Sequence, residues 1–239
     1  MYSRLKLSAR FALSGSYFKI LPLLTLIIFA VFVFSVCNTA ANRFVDAEFF
    51  ILLFPVVSLI LFIFITSPAR LQLEIRHYML ARGMKNKKIK TSLIKSLIFY
   101  PLLFCLKAFW LFVFEAVPVS GAVMLYVYLT EKSLSAKATA VFLICIAVLA
   151  VSGFGFYSVF IQRYSKSAFY LACYEDFKAF DAVKESVRKT RGSLCEILFF
   201  KIGFLPWLLL CTGIVPMLFV IPYYKQSLTL YFINKTRCS

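Results

Sequence analysis

Acidic side chains and histidine are scarce in this chain of 239 residues, which contains 10 aspartates and glutamates and a single histidine, His77. The seven cysteines form no CxxC pair, and HExxH, GxSxG and P-loop motifs do not occur. Zinc sites, histidine-activated nucleophiles and nucleotide-binding loops depend on such patterns. We therefore expect no metal, no cofactor and no enzymatic activity.

Basic residues dominate the charge, since 27 lysines and arginines give a net charge of +17. Twenty-one of them fall into four stretches that alternate with long apolar runs. This is how a polytopic membrane protein keeps positive charge in the cytoplasm. Nucleic-acid-binding proteins are basic too, but their charge is not confined to the ends of apolar runs. We expect a lipid bilayer as the partner and no nucleic acid.

Apolar residues make up 62% of the chain, and the mean hydropathy is +0.87. About 20 apolar residues are needed to cross a bilayer as a helix. We predict an all-α polytopic membrane helix bundle, a single domain over residues 1–239, with both termini in the cytoplasm. Its six predicted spans cover residues 20–41, 49–67, 97–129, 138–161, 194–212 and 216–233. The first is longer than the apolar part of a signal peptide and is interpreted as a retained transmembrane helix.

Two apolar regions need interpretation, because each is too long for one ordinary span. Residues 97–129 are predicted to cross once, with a kink near Pro101 or Pro118, because a second crossing would place the basic stretch 163–191 outside. A re-entrant segment there remains the alternative. The last region is divided at Gly213, which precedes Pro216 and indicates a turn. Eight basic residues place the segment 68–96 in the cytoplasm.

Residues 178–191 have the pattern of an amphipathic helix that ends at Gly192. Its apolar side chains are Phe180, Val183 and Val187. Its basic side chains, Lys184, Arg188 and Arg191, are the candidate contacts to anionic lipid headgroups. We expect the helix to lie in the membrane interface, and packing onto the protein's own inner loops is the alternative.

Ionisable residues within apolar spans are costly and often functional. Lys107 and Glu115 lie in the third predicted span, Lys201 in the fifth and Lys225 in the sixth. Lys225 is expected to pair with Glu115, with local support from Tyr223 and Gln226. The candidate intramembrane polar site therefore comprises Lys107, Glu115, Tyr223, Lys225 and Gln226. A structural ion pair, snorkelling lysines and a ligand or ion site all fit this pattern.

Small residues near the end of the fourth predicted span suggest close helix packing. Gly153 and Gly155, together with Ser152 and Ser158, would let a neighbouring helix approach closely in lipid.

Several short motifs resemble those of a bacterial integral-membrane family catalogued as domain of unknown function 975. They are residues 164–175 (YSKSAFYLACYE), 182–186 (AVKES), Gly192, 207–210 (WLLL), 221–224 (IPYY) and the pair Tyr231 and Phe232, with residues 9–15 (ARFALSG) before the first span. The sequence departs from the family in having Gly153-Phe154-Gly155 where Pro-Gly is usual. The family looks distantly similar to membrane domains of glycerophosphodiester phosphodiesterases, which implies a bacterial cytoplasmic membrane and a link to lipid.

Two functions are compatible with these features. The first is a non-enzymatic membrane protein that binds anionic lipid headgroups or a membrane protein partner. The alternative is a small transporter or permease component, in which Lys107, Glu115 and Lys225 line a polar path between helices. Interrupted helices in two halves are typical of transporters, and prolines interrupt the third and sixth predicted spans.

Overall fold

The computed structural model describes residues 2–44, 48–84, 93–131, 136–174 and 176–237, and within them the chain is helical without strands. Five long or medium helices come first, and they are α1 (Tyr2–Ser14), α2 (Tyr17–Phe44), α3 (Glu48–Ala81), α4 (Leu93–Glu131) and α5 (Ala136–Phe160). A 3₁₀ turn, Ile161–Tyr164, leads into α6 (Ser167–Cys173), α7 (Ala179–Thr190), α8 (Leu194–Ile202), α9 (Leu205–Leu209), a second 3₁₀ turn at Leu210–Thr212 and α10 (Ile214–Arg237). The all-α prediction is thus confirmed.

Four helical segments among the described residues are long and apolar enough to cross a membrane, and they are Tyr17–Thr39, Pro55–Ala81, Leu93–Leu129 and Lys137–Cys173. They form two hairpins, α2 against α3 and α4 against α5. Their surfaces expose large apolar side chains, such as Phe32, Phe112 and Val151. Such a surface suits lipid and not water.

The third predicted span is a single helix. α4 runs unbroken through Pro101 and Pro118 over 39 residues. At 1.5 Å per residue its length is about 58 Å, which exceeds the roughly 30 Å of a bilayer core. The helix therefore supports one crossing and not two crossings with a turn.

The predicted spanning helix over residues 194–212 is not found as one continuous helix. The segment forms α8, α9 and a 3₁₀ turn. Nine residues in α8 extend about 14 Å, too short to span. The physical reason is that Gly203 and Pro206 interrupt the run, since proline cannot donate an interior helical hydrogen bond and instead lies in the first turn of α9. The break before α10 falls at Gly213, as predicted.

The sixth predicted span, 216–233, is part of one helix, α10, but α10 is not among the four candidate spans in the described part of the chain. Its centre holds a polar run, residues 223–229 (YYKQSLT), which lowers its hydropathy. The described residues therefore contain four candidate spans, and the predicted six are not confirmed.

The predicted end of the second span, at residue 67, is too early. α3 continues from residue 67 to Ala81, through most of the segment that was expected to be a cytoplasmic loop. Pro68 removes one backbone donor, yet α3 continues through it without a break. Leu71 and Ile75 then continue a buried face at helical spacing.

Most buried side chains collect at one end of the structure, which we call the packed end. It combines the C-terminal half of α3, the start of α4, helices α6 to α8 and the C-terminal half of α10. Tyr78 of α3 packs edge to face against Phe169 of α6, and Phe200 of α8 stacks on Tyr231 of α10. Helix α1 joins through Leu5, which belongs to the same buried cluster.

The amphipathic helix 178–191 is present as α7 (Ala179–Thr190), followed by Gly192 with φ of +80°. Its apolar face packs on the protein, because Val183 is buried and Val187 lies against the same core. Ser186 also donates a hydrogen bond to the carbonyl of Arg163, at 2.7 Å. Packing onto the chain, which was the alternative, is thus what these residues do, while Phe180 remains exposed.

Candidate functional site

The described part of the chain contains three side-chain ion pairs, and one of them lies inside the packed end. The ammonium of Lys225 on α10 contacts the carboxylate of Glu74 on α3. The Glu74 side chain is 13% exposed and that of Lys225 is 34% exposed. The expected pairing of Lys225 with Glu115 is therefore wrong. It failed because Glu74 had been assigned to a cytoplasmic loop, whereas helix α3 extends past it.

Glu115 lies elsewhere, in the α4–α5 hairpin. Its Oε1 atom is buried and accepts no hydrogen bond from any described residue. The neighbouring surface of α5 is Gly153, where an added Cβ would lie 2.8 Å from the carbonyl oxygen of Phe114 and 3.3 Å from Glu115 Oε1. The expected close helix approach is confirmed at Gly153, while a Cβ at Gly155 would meet open space.

Gln226 and His77 form a second polar contact between α10 and α3. The two side chains are both buried, and the amide lies 2.7 Å from His77 Nδ1. When the amide nitrogen faces the ring, it donates to Nδ1 and to the His77 carbonyl, and the amide oxygen accepts from the backbone N–H of Ala81. This orientation makes Nδ1 an acceptor and places the ring proton on Nε2. The contact fixes the register of α10 on α3.

Lys201 of α8 faces the same region. Its ammonium donates to Gln162 Oε1 at 2.7 Å and to Ser165 Oγ at 3.0 Å. Gln162 lies in the first 3₁₀ turn, and Ser165 directly follows it. Tyr223, by contrast, packs its ring against Phe204, with centroids 5.7 Å apart, and does not join these contacts.

Lys107 of α4 is partly buried, and the charges of Lys225 and Arg70 act on it. The charges of Lys107, Lys225 and Glu74 in turn act on Lys201. We call the group Arg70, Lys107, Lys201 and Lys225 the cationic cluster. Four helices, α3, α4, α8 and α10, contribute one member each, and Glu74 is the carboxylate in contact with it. Among the described residues Lys107 and Lys201 form no ion pair.

The basic side chains of α7 lie on the outside of the packed end. Lys184, Arg188 and Arg191 are all exposed, as the sequence led us to expect. Arg188 forms an ion pair with Glu185 at 2.8 Å, one turn away. Lys184 and Arg191 have no such partner among the described residues.

A cleft of about 340 Å³ lies between the start of α2 and the end of α3. Two of its lining side chains, Lys19 and Arg76, are cationic. The remaining walls are largely apolar and include Phe18, Ile20, Pro22, Met79 and Leu80. Such a lining combines a surface for hydrocarbon with two charges suited to an anionic headgroup.

No group of three histidine, cysteine or acidic side chains that could hold a metal is found in the described ranges. Comparisons with protein-family models, with curated proteins and with solved structures found no match to this chain. The resemblance of its short motifs to a membrane family therefore remains an expectation.

Three members of this region were not singled out from the sequence, namely Arg70, Glu74 and His77. The spacing indicated that the helix continues past residue 67, since Arg70 and Glu74 are four residues apart and Leu71 and Ile75 repeat the same interval. Pro68 argued against a continuous helix at the sequence level, because proline ordinarily ends a helical pattern.

Proposed function

We propose that this chain is an integral protein of the bacterial cytoplasmic membrane that binds anionic lipid, or a partner protein, and catalyses no reaction. Four crossings would leave both termini on one side of the membrane. The basic residues near the ends of the apolar helices make the cytoplasmic side the favoured one.

One observation carries the lipid proposal. The apolar face of α7 is packed on the protein, and this packing turns Lys184, Arg188 and Arg191 toward the outside. The helix therefore presents fixed positive charge at the end of the apolar helices, where lipid headgroups would lie. The cleft with Lys19 and Arg76 adds a second basic site with apolar walls.

The test compares binding of spin-labelled phosphatidylglycerol and phosphatidylcholine to the protein reconstituted in bilayers. We expect K184Q and R191Q each to weaken the preference for the anionic lipid by about 1 kcal/mol, which is roughly fivefold. R188Q should have a smaller effect, because Glu185 already neutralises part of that charge.

A charge-conserving variant, K184R/R188K/R191K, is the matched control and should keep the preference. If the triple glutamine variant selects phosphatidylglycerol as well as the wild type does, the α7 surface does not bind lipid headgroups.

A transporter or permease component is the second candidate, and the cationic cluster favours it. Lys107 and Lys225 lie in this one cluster, although Glu115 does not pair with Lys225. Anion flux into proteoliposomes that is abolished by K107M would support transport. An equal flux in protein-free vesicles would contradict it.

A further inference from the structure

The cationic cluster has more positive charge than its surroundings neutralise. Glu74 contacts Lys225, which leaves Arg70, Lys107 and Lys201 without a carboxylate of their own among the described residues. A buried charge without an opposite charge beside it is costly. The carboxylates near this cluster are fewer than its cations.

The neutral groups around the cluster do not compensate for this excess. Lys201 reaches two neutral oxygens, those of Gln162 and Ser165. The Tyr100 hydroxyl is buried, interacts electrostatically with Glu74 and Arg70, and makes no hydrogen bond to any described residue. Buried polar groups without a partner are rare in native proteins and call for an explanation.

Helical spacing places members of this group on common helix faces. Tyr100 and Lys107 are seven residues apart on α4 and therefore lie on the same face, two turns from each other. Arg70 and Glu74 share a face of α3 in the same way. One turn beyond Lys107, Trp110 donates a hydrogen bond to Tyr164, which brings this part of α4 to the 3₁₀ turn that Lys201 also contacts.

An unbalanced group of amines can shed protons, but a guanidinium stays charged at any ordinary pH. Arg70 therefore keeps the cluster positive even if a lysine is neutral. Several N–H donors and a hydroxyl that come from different helices match an anion with several oxygens, which accepts many charge-assisted hydrogen bonds at once.

We propose that Arg70, Lys107, Lys201 and Lys225 bind an anion with phosphate-type oxygens between α3, α4, α8 and α10, with the Tyr100 hydroxyl as a further donor. The site is separate from the α7 surface, so this inference does not depend on the lipid contacts proposed for α7. Free phosphate and the headgroup of a phospholipid share the chemistry that the cluster would recognise.

The experiment measures thermal unfolding of the full-length protein in detergent, titrated with inorganic phosphate against sodium chloride at equal ionic strength. Saturating phosphate should raise the Tm by about 3–6 °C more than the chloride control. A second arm compares nanodiscs of phosphatidylcholine with nanodiscs that also contain phosphatidic acid. Stabilisation by phosphate identifies a free anion as ligand, and stabilisation by phosphatidic acid alone identifies a headgroup.

Two variants, K107M and K201M, should lose this response. K107M should unfold no earlier than the wild type without ligand, because it removes a repelling charge, whereas K201M also loses the hydrogen bonds to Gln162 and Ser165. K137M removes the same charge from the exposed start of α5, outside both proposed anionic-ligand sites, and should respond as the wild type does. A general effect of phosphate on solvation would be equal in all four proteins.

The wild-type titration decides the question even if a variant fails to fold. Absence of stabilisation by both phosphate and phosphatidic acid would overturn the proposal. So would a full response in K107M and K201M, because it would place the ligand elsewhere.

Discussion

Glu74 should matter more to stability than Lys225, although the two form one ion pair. Removing Glu74 leaves Lys225 without a counter-charge and leaves the whole cationic cluster unneutralised. Removal of one partner of a buried pair costs about 3–5 kcal/mol. The Lys225 side chain keeps 34% exposure, so we expect Glu74→Gln to lower the free energy of unfolding by an amount near the lower limit, about 3 kcal/mol.

Lys225→Met has a smaller expected effect, because Glu74 still interacts with Lys201. The remaining cations would hold the carboxylate, and one repelling ammonium would be gone. We expect a loss of about 1 kcal/mol or less.

The assay is thermal unfolding of each purified variant in one detergent. For a chain of this size, about 3 kcal/mol corresponds to roughly 6–12 °C in Tm. The double variant E74Q/K225M should be more stable than E74Q, because the stranded ammonium is removed as well. As a control, E115Q and K225M should be additive within about 0.5 kcal/mol, since these two positions share no contact.

Equal losses in E74Q and K225M would refute the asymmetry and with it the excess of positive charge around the pair. A strong coupling between positions 115 and 225 would instead restore the pairing that was first expected from the sequence.

Two further predictions test the α4–α5 contact and the threading of the chain. Gly153→Ala should lower the Tm, because the new Cβ would lie 2.8 Å from the Phe114 carbonyl oxygen. Gly155→Ala places its Cβ in open space and should leave the Tm unchanged or raised. Equal effects at both glycines would contradict the close packing. In a variant without the native cysteines, a single cysteine at Gly213 should be labelled from the same side as one at Gly192, because α8 and α9 are too short to cross between them. Labelling from opposite sides would instead support six spans.

The sequence determined the class of this protein and most of its long helices. Apolar runs can be recognised without tertiary structure, because the length needed to cross a bilayer and the cost of burying charge are properties of each segment alone. For the same reason α2 and α5 follow from composition, while the single helix α4 was predicted from the charge of the stretch 163–191 and α7 from its periodicity and Gly192. The failures at residues 68–81 and 194–212 both involve proline. Whether a proline ends a helix or is accommodated depends on the tertiary packing of the residues that follow it, such as Leu71 and Ile75.

Only the tertiary structure decided which polar residues meet. The sequence singled out Lys107, Lys201 and Lys225 as unusual, but their partners lie on other helices, and helix rotation and register determine those partners. Burial of the apolar face of α7 against the core, and the contact of Gln226 with His77, are likewise long-range events. Lys225 therefore contacts Glu74, 151 residues away in the chain, because the packing of α10 on α3 brings them together, and no local pattern specifies that packing.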